Sequence, residues 1–125
     1  MHEASIAQSI VQTVLREAEK QNAVRVESVE IEIGDLTFLG IDQVAFWVET
    51  GFAETIAEKA KVVFKQIKGI IRCTECGYEG NIKIEEDPAY HLNLPTFACP
   101  KCGSTHIEIT QGREALIRRI KILKN

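Results

Sequence analysis

The chain has 125 residues, of which 45% are hydrophobic and 26% are charged, and its formal net charge is −3. This length suits a main unit of about 80 residues with a metal-stabilised piece of about 40. The acidic balance argues against a nucleic-acid-binding protein, because such proteins usually carry an excess of Lys and Arg. There is neither a membrane-spanning apolar run nor a signal-peptide pattern, so we expect a cytoplasmic protein that binds neither nucleic acid nor membrane.

The first third of the chain predicts a helix followed by a strand. Apolar residues recur at helical spacing over residues 3–20, and Asn22 is a suitable end for that helix. Within residues 26–36, Val29, Ile31 and Ile33 alternate with Glu30 and Glu32, and Gly34-Asp35 ends the pattern. This alternation predicts a strand with one face toward solvent.

The rest of the chain predicts another helix and two more strands. Residues 41–55 have a broad apolar surface, and we expect Trp47 to pack on it rather than to form a binding cage. A second strand is predicted over 59–69 and a third over 114–125. We expect Leu116, Ile120 and Ile122 to share one face of the third strand.

A cysteine-rich block lies between the second and third predicted strands, so it is an insertion rather than a tail. We therefore predict an α+β fold in which two helices pack on a three-stranded sheet. The main domain would comprise residues 1–68 and 109–125, and residues 69–108 would form an inserted zinc-ribbon domain.

The inserted block contains two CxxCG motifs, Cys73–Cys76 and Cys99–Cys102, separated by 22 residues. Each glycine permits the positive φ that such a turn requires. Four thiolates in two turns can complete a tetrahedral zinc shell, although the spacer slightly exceeds the usual range. The sequence therefore predicts a structural zinc site. Iron in the same four-thiolate shell stays open, whereas a redox dithiol would need one CxxC at a helix start.

The N-terminal sequence Met1-His2-Glu3 offers a second metal site. The Met1 amine, the His2 backbone nitrogen and the His2 imidazole can close adjacent chelate rings on one ion. A deprotonated amide nitrogen requires an ion that accepts planar coordination, which indicates Ni(II) or Cu(II) rather than zinc. The Glu3 amide, the Glu3 carboxylate or a distant side chain could fill the fourth position.

His91 is the distant side chain that we predict for this role. It lies in the long loop between the two cysteine pairs, where Pro88 and Pro95 limit helix and strand formation. We expect this loop to act as a semi-stiff arm that carries His91 toward the terminus. His106 is less suitable, because it closely follows the second cysteine pair.

The sequence resembles the HypA/HybF family of hydrogenase nickel-incorporation proteins. The resemblance is carried by MHE at the start, by VEIEIGDL, by GFAETIAEKAKVVF and by the two cysteine pairs with CPKCG. It covers essentially the whole chain in the same order. Some relatives have histidines beside their cysteine pairs. This pattern is not matched cleanly here, and an acid-sensing role is therefore not expected.

The resemblance implies a nickel metallochaperone that is not an enzyme. Such a protein delivers Ni(II), its transient cargo, to the large subunit of [NiFe]-hydrogenase together with a GTPase called HypB. It further implies that His2 is the essential nickel ligand, assisted by backbone nitrogens of Met1 and Glu3. The four cysteines would then hold the structural zinc.

Two alternative functions would also use parts of this sequence. A zinc-ribbon module for protein or nucleic-acid interaction would use the cysteines without the N-terminal motif, but the acidic composition disfavours a nucleic-acid partner. An enzyme would need a nucleophile with its base or an open metal site, and neither pattern is visible. The carboxylates over 85–87 are interpreted as a solvated turn. The sequence leaves the oligomeric state open.

Overall fold

The fold was analysed in a computed structural model that describes residues 3–81 and 98–124. Helices and strands follow one another in the predicted order, with three further short strands around the cysteines. Within the described residues they are α1 (Glu3–Lys20), β1 (Ala23–Gly34), α2 (Ile41–Phe52), β2 (Lys61–Ile67), β3 (Ile70–Cys73), β4 (Glu79–Asn81), β5 (Ile107–Gln111) and β6 (Ala115–Lys124), with a short 3-10 turn at Asp35–Thr37. None of the helices described here is long and apolar enough to cross a membrane.

The main sheet has the strand order β2-β1-β6, with β1 parallel to β2 and antiparallel to β6. Two parallel neighbours need a crossover connection, and α2 supplies it between β1 and β2. Both helices pack against the same sheet, and their apolar side chains form one continuous core with those of β1. The predicted arrangement of two helices on a three-stranded sheet is therefore confirmed.

The core follows the sequence periodicity. The central strand β1 alternates between buried aliphatic residues and glutamates, as predicted, because only one face of the sheet is covered by helices. The deeply buried side chains of the main unit come from α1, β1, α2 and the turn after α2: Ala7, Ile10, Val11, Val14, Ala18, Val26, Val29, Ile31, Ile33, Val44, Val48, Phe52 and Ala57.

The prediction for the last strand was wrong at Leu116. In the antiparallel pairing with β1, Glu30 pairs with Arg119 and Ile31 pairs with Ile117, so the register skips Arg118. This bulge reverses the alternation of β6 at that point. Ile117 therefore packs against the core together with the predicted Ile120 and Ile122, whereas Leu116 is 40% exposed.

The second helix also differs from its prediction. It ends at Phe52 rather than at residue 55, because Ala53 leaves the helical conformation and Glu54 has a φ of 63°. Its broad apolar surface is only partly buried. Phe46 is 59% exposed and Trp47 is 45% exposed, and their rings meet edge to face with centroids 5.2 Å apart. Trp47 thus packs against Phe46 on the helix surface and remains half exposed to solvent.

A second, antiparallel sheet with the order β4-β3-β5 carries the cysteine motifs. The chain enters it from β2 and returns from it into β6, and the two connections are packed together. Gly112 has a φ of 89°, and a Cβ there would lie 2.7 Å from the Gly69 Cα atom. The two connections meet at the end of β1, where Leu36 donates its backbone N–H to the Gly112 carbonyl at 2.8 Å. The domain boundaries proposed from the sequence stay a prediction.

Candidate metal centres

The first cysteine motif folds into a compact turn at the end of β3. Cys73 donates its backbone N–H to the Tyr78 carbonyl at 2.8 Å, and Gly77 donates to the Cys73 carbonyl at 3.0 Å. Gly77 has the predicted positive φ, at 78°. These bonds place the two sulfurs of the motif on the same side of the turn.

The second motif repeats this geometry although it precedes its strand rather than following one. Cys99 donates its N–H to the Ser104 carbonyl at 2.8 Å, and Gly103 donates to the Cys99 carbonyl at 2.8 Å. Gly103 has a φ of 77°, which is essentially that of its counterpart in the first turn. The two turns are thus local structures that the short motif itself encodes.

Pairing of β3 with β5 brings the two turns side by side. Cys73 lies opposite Ile107, and Thr74 donates both its N–H and its hydroxyl to the His106 carbonyl, at 3.0 and 2.8 Å. As a result the ligand atoms of all four cysteines lie within 4.8 Å of one another. The four sulfurs that the sequence predicted as one site are therefore clustered.

The spacing of the sulfurs fits a tetrahedral metal ion. The Cys73 and Cys102 sulfurs are 3.6 Å apart, as are those of Cys76 and Cys99. A tetrahedron of sulfurs about 2.3 Å from a zinc ion has edges of about 3.8 Å. A disulfide would need about 2.05 Å, so these cysteines are free thiols. Cys73 and Cys99 are buried, whereas Cys76 and Cys102 face solvent.

Backbone N–H groups favour the thiolate form of the two buried cysteines. The Cys76 N–H, the largest influence, holds the pKa of the Cys73 thiol below its ordinary value, against the opposing effect of burial. Burial acts to raise the pKa of Cys99, but the N–H groups of Cys102 and Lys101 outweigh it and lower this pKa to about 6. Lys101 and Cys102 donate to the Cys99 sulfur at 3.4 and 3.5 Å.

Cys102 has the opposite tendency. The Ser104 N–H acts to lower the pKa of its thiol, but partial desolvation of the sulfur and the three neighbouring sulfurs raise it to about 12. Like charges this close cannot all ionise without a compensating cation. A divalent ion between the sulfurs would supply that compensation, so the charge pattern of the cluster also fits a metal site.

In the described structure, the His106 side chain pairs with a carboxylate rather than joining the cysteine cluster. Its Nδ1 lies 2.8 Å from Oε1 of Glu75, and both side chains are largely exposed. No His, Asp or Glu joins the four-cysteine group among the residues that the structure describes. The cluster is therefore composed of sulfur alone.

The predicted N-terminal site is represented in the described structure only by Glu3. Met1, His2 and His91 lie outside the described residues. Glu3 is the first residue of α1, and its carboxylate accepts a hydrogen bond from the Gly40 N–H at 3.1 Å. Gly40 directly precedes α2, where a carboxylate is favoured by the helix dipole. This contact anchors the residue next to His2 at the start of α2.

This contact could not be predicted from the sequence. Glu3 and Gly40 are separated by 37 positions, and glycine offers no side chain whose type would suggest a partner. The parallel packing of α1 beside α2, which also places Val11 against Gly51, brings them together. The Glu3 carboxylate, one of the candidate fourth nickel ligands, is thus engaged with the protein backbone.

Comparison with known proteins gives matches over the full length. The family model described as "Hydrogenase/urease nickel incorporation, metallochaperone, hypA" matches residues 1–122. Hydrogenase maturation factor HypA of Methanothermobacter thermautotrophicus is 41% identical over 124 residues, covering 99% of this chain and 98% of that protein. The protein of the same name from Thermococcus gammatolerans is 36% identical over 135 residues, covering 99% and 97%.

A solved structure agrees with the fold. The solution structure of the Ni metallochaperone HypA from Helicobacter pylori covers 100% of both chains with a TM-score of 0.67 and 24% sequence identity. At that identity the likeness shows the fold alone. Together with the whole-chain sequence matches, it establishes that this chain belongs to the HypA family of hydrogenase and urease nickel-incorporation metallochaperones.

Proposed function

We propose that this protein is a nickel metallochaperone that binds Ni(II) at its N-terminus and delivers it for the maturation of [NiFe]-hydrogenase. The observation that carries the proposal is family membership over residues 1–122, a span that includes the MHE terminus and both cysteine turns. In this role the protein is a metal carrier rather than an enzyme, and nickel is its cargo.

The nickel site in this proposal is built from the Met1 amine, the His2 backbone nitrogen and imidazole, and one further ligand. Nitrogen donors of this kind suit planar Ni(II), and proton competition makes their binding reversible. The Glu3 amide nitrogen lies at the start of α1, where a helix does not need the N–H for its own ladder. The Glu3 amide and the His91 imidazole are the two candidates for the remaining position.

The four-cysteine cluster is proposed to hold structural zinc. Its sulfurs provide a closed shell without an open position, so the ion would stabilise the fold and supply no hydrolytic chemistry. Among the described residues of the cysteine-rich part, 69–81 and 98–111, the buried apolar ones are Ile71, Cys73 and Cys99. So few buried side chains indicate that a metal ion replaces a hydrophobic core there.

The proposed partners are a HypB-type GTPase and the large subunit of [NiFe]-hydrogenase, and the proposed location is the cytoplasm. Four free thiols suit a reducing compartment, since an oxidising one would favour disulfides. Delivery of nickel requires a site that releases its ion on contact with a partner. A terminus beside an anchored first helical turn can provide this without unfolding the core.

The decisive experiment is a nickel titration of untagged protein before and after His2→Ala. The substitution should abolish stoichiometric nickel binding and leave zinc content and the melting temperature nearly unchanged. His106→Ala is the matched control, because it removes an exposed imidazole from the cysteine region. An N-terminal tag should also abolish binding, whereas a C-terminal tag should not. Nickel affinity that survives His2→Ala would refute the proposed site.

The zinc assignment is tested by Cys73→Ser with metal analysis of the isolated protein. Loss of one buried thiolate should abolish stoichiometric zinc and disorder residues 69–108, while the core of the main sheet persists. Protein isolated without metal, or a Cys73→Ser variant that keeps the structure of the second sheet, would show that zinc is not structural. Iron in place of zinc would be recognised by its visible absorption.

The contribution of His91 is tested by His91→Ala with His2 intact. If His91 supplies the fourth nitrogen, the nickel spectrum and affinity should shift, either alone or with the GTPase present. Unchanged spectra and affinity in both conditions would assign the fourth position to the Glu3 amide or another local ligand.

A further inference from the structure

The exposed face of α2 carries two aromatic side chains that are not part of the buried core. The opposite face of this helix is buried in the core and carries Val44, Val48 and Phe52. Phe46 and Trp47 remain 59% and 45% exposed and touch each other in a perpendicular ring contact. Single exposed apolar residues are common, but adjacent aromatic rings at the centre of an exposed helix face are typical of protein contact surfaces.

Acidic side chains flank this aromatic pair. Asp42 and Glu49 lie one turn before and one turn after Phe46 on the same exposed face. Within the described residues, neither carboxylate forms an ion pair with a basic group. The face is therefore apolar at its centre and negatively charged at both ends.

The surrounding sequence supplies no basic residue to balance this charge. Residues 35–58 contain five acidic residues and neither Lys nor Arg: Asp35, Asp42, Glu49, Glu54 and Glu58. The part of α1 that packs beside α2, residues 4–15, is uncharged. The nearest basic residue of α1 is Arg16, beyond the level at which Val11 meets Gly51.

The position of this face connects it to the N-terminus. Glu3 is hydrogen-bonded to Gly40, the residue before α2, and Phe46 follows six residues later. At 1.5 Å per residue, the aromatic pair lies roughly 9 Å along the helix from that anchor. A protein seated on Phe46 and Trp47 would therefore lie near Glu3, the residue that follows His2 in the sequence.

We propose that the exposed face of α2 is a docking site for a partner helix that carries Lys or Arg around an apolar stripe. The apolar stripe covers Phe46 and Trp47, and the basic residues pair with Asp42 and Glu49. The link to nickel transfer rests on the proposed function, because docking here brings the partner to the start of α1, which directly follows the proposed nickel ligands in the sequence. The docking itself does not depend on nickel.

Trp47 makes a direct assay available, because it is the only tryptophan of the chain. The probe is a tryptophan-free synthetic helix of about 18 residues with Leu at i, i+3, i+4 and i+7 and Lys elsewhere. Titration of this peptide into the full-length protein should shift the Trp47 emission to shorter wavelength, as the indole leaves water. The binding should weaken as salt increases.

Variants and a second peptide then locate the binding. Phe46→Ser and, separately, the Asp42→Lys/Glu49→Lys double variant should each weaken binding at least about tenfold, with an unchanged circular dichroism spectrum. Leu116→Ser, which removes an exposed apolar side chain from β6, is the matched control and should retain wild-type affinity. A peptide with Glu in place of Lys should not bind.

The nickel and docking functions are separated by two further measurements. Phe46→Ser should keep the nickel stoichiometry of the wild type, and His2→Ala should keep the peptide affinity. Wild-type affinity in Phe46→Ser, or equal binding of the Glu peptide, would overturn the proposal. Self-association of the wild type that Phe46→Ser abolishes would also overturn it, since the occupant would then be a second copy of the chain.

Discussion

Gly34→Ala should destabilise the protein through the junction between the two sheets. Gly34 has φ −75° and ψ 144°, a conformation that alanine adopts without strain. A Cβ atom at this position would overlap the carbonyl group of Gly112, which belongs to the connection that returns from the second sheet. The backbone of that connection must therefore move away from the end of β1.

The size of the effect follows from the contacts that this movement breaks. Gly34 donates to the Glu114 carbonyl at 3.0 Å, and Leu36 donates to the Gly112 carbonyl at 2.8 Å. Each backbone bond contributes about 0.5–1.5 kcal/mol, and crowding in packed structure costs about 1–3 kcal/mol. We expect a loss of about 2–6 kcal/mol in the free energy of unfolding.

Urea denaturation of the metal-loaded protein, followed by circular dichroism, measures this loss. Gly103→Ala is the control, because Gly103 has a φ of 77° and nothing lies within 4 Å of the added Cβ. It should cost only the left-handed backbone conformation, about 1–2 kcal/mol. A Gly34→Ala variant that loses less than about 1 kcal/mol, or less than Gly103→Ala, would refute the proposed steric origin.

Four further substitutions test other parts of the fold by the same denaturation assay. Ile117→Ser should lower the free energy of unfolding by about 2 kcal/mol and Leu116→Ser by less than about 1 kcal/mol, because the bulge turns only Ile117 toward the core. Equal losses for the two variants would contradict the register. Glu3→Ala should cost about 1 kcal/mol and speed hydrogen exchange at the Gly40 amide, and unchanged exchange would argue against that hydrogen bond. Phe52→Ala should cost about 3–5 kcal/mol, since its ring is 2% exposed, and a loss below about 1 kcal/mol would place it outside the core.

The elements that depend on local sequence were predictable. Each CxxCG motif closes its own turn through hydrogen bonds within six residues, so Gly77 and Gly103 have the expected positive φ without help from the rest of the chain. The end of α1 was likewise set locally, at Asn22 with a φ of 56°. The alternation in β1 could be recognised in the sequence because one face of the strand is buried and the other faces solvent.

The tertiary structure alone decided which apolar residues are buried and which distant residues meet. The bulge at Arg118 arises from pairing with β1, and the same pattern of residues without that partner strand would have placed Leu116 in the core. The exposure of Phe46 depends on which faces of α2 are covered by other elements, and the periodicity of the helix sequence does not determine this. The contact of Glu3 with Gly40 likewise depends on the packing of one helix against another. Local sequence fixes backbone conformation over a few residues, whereas burial and long-range hydrogen bonds are properties of partners that lie far away along the chain.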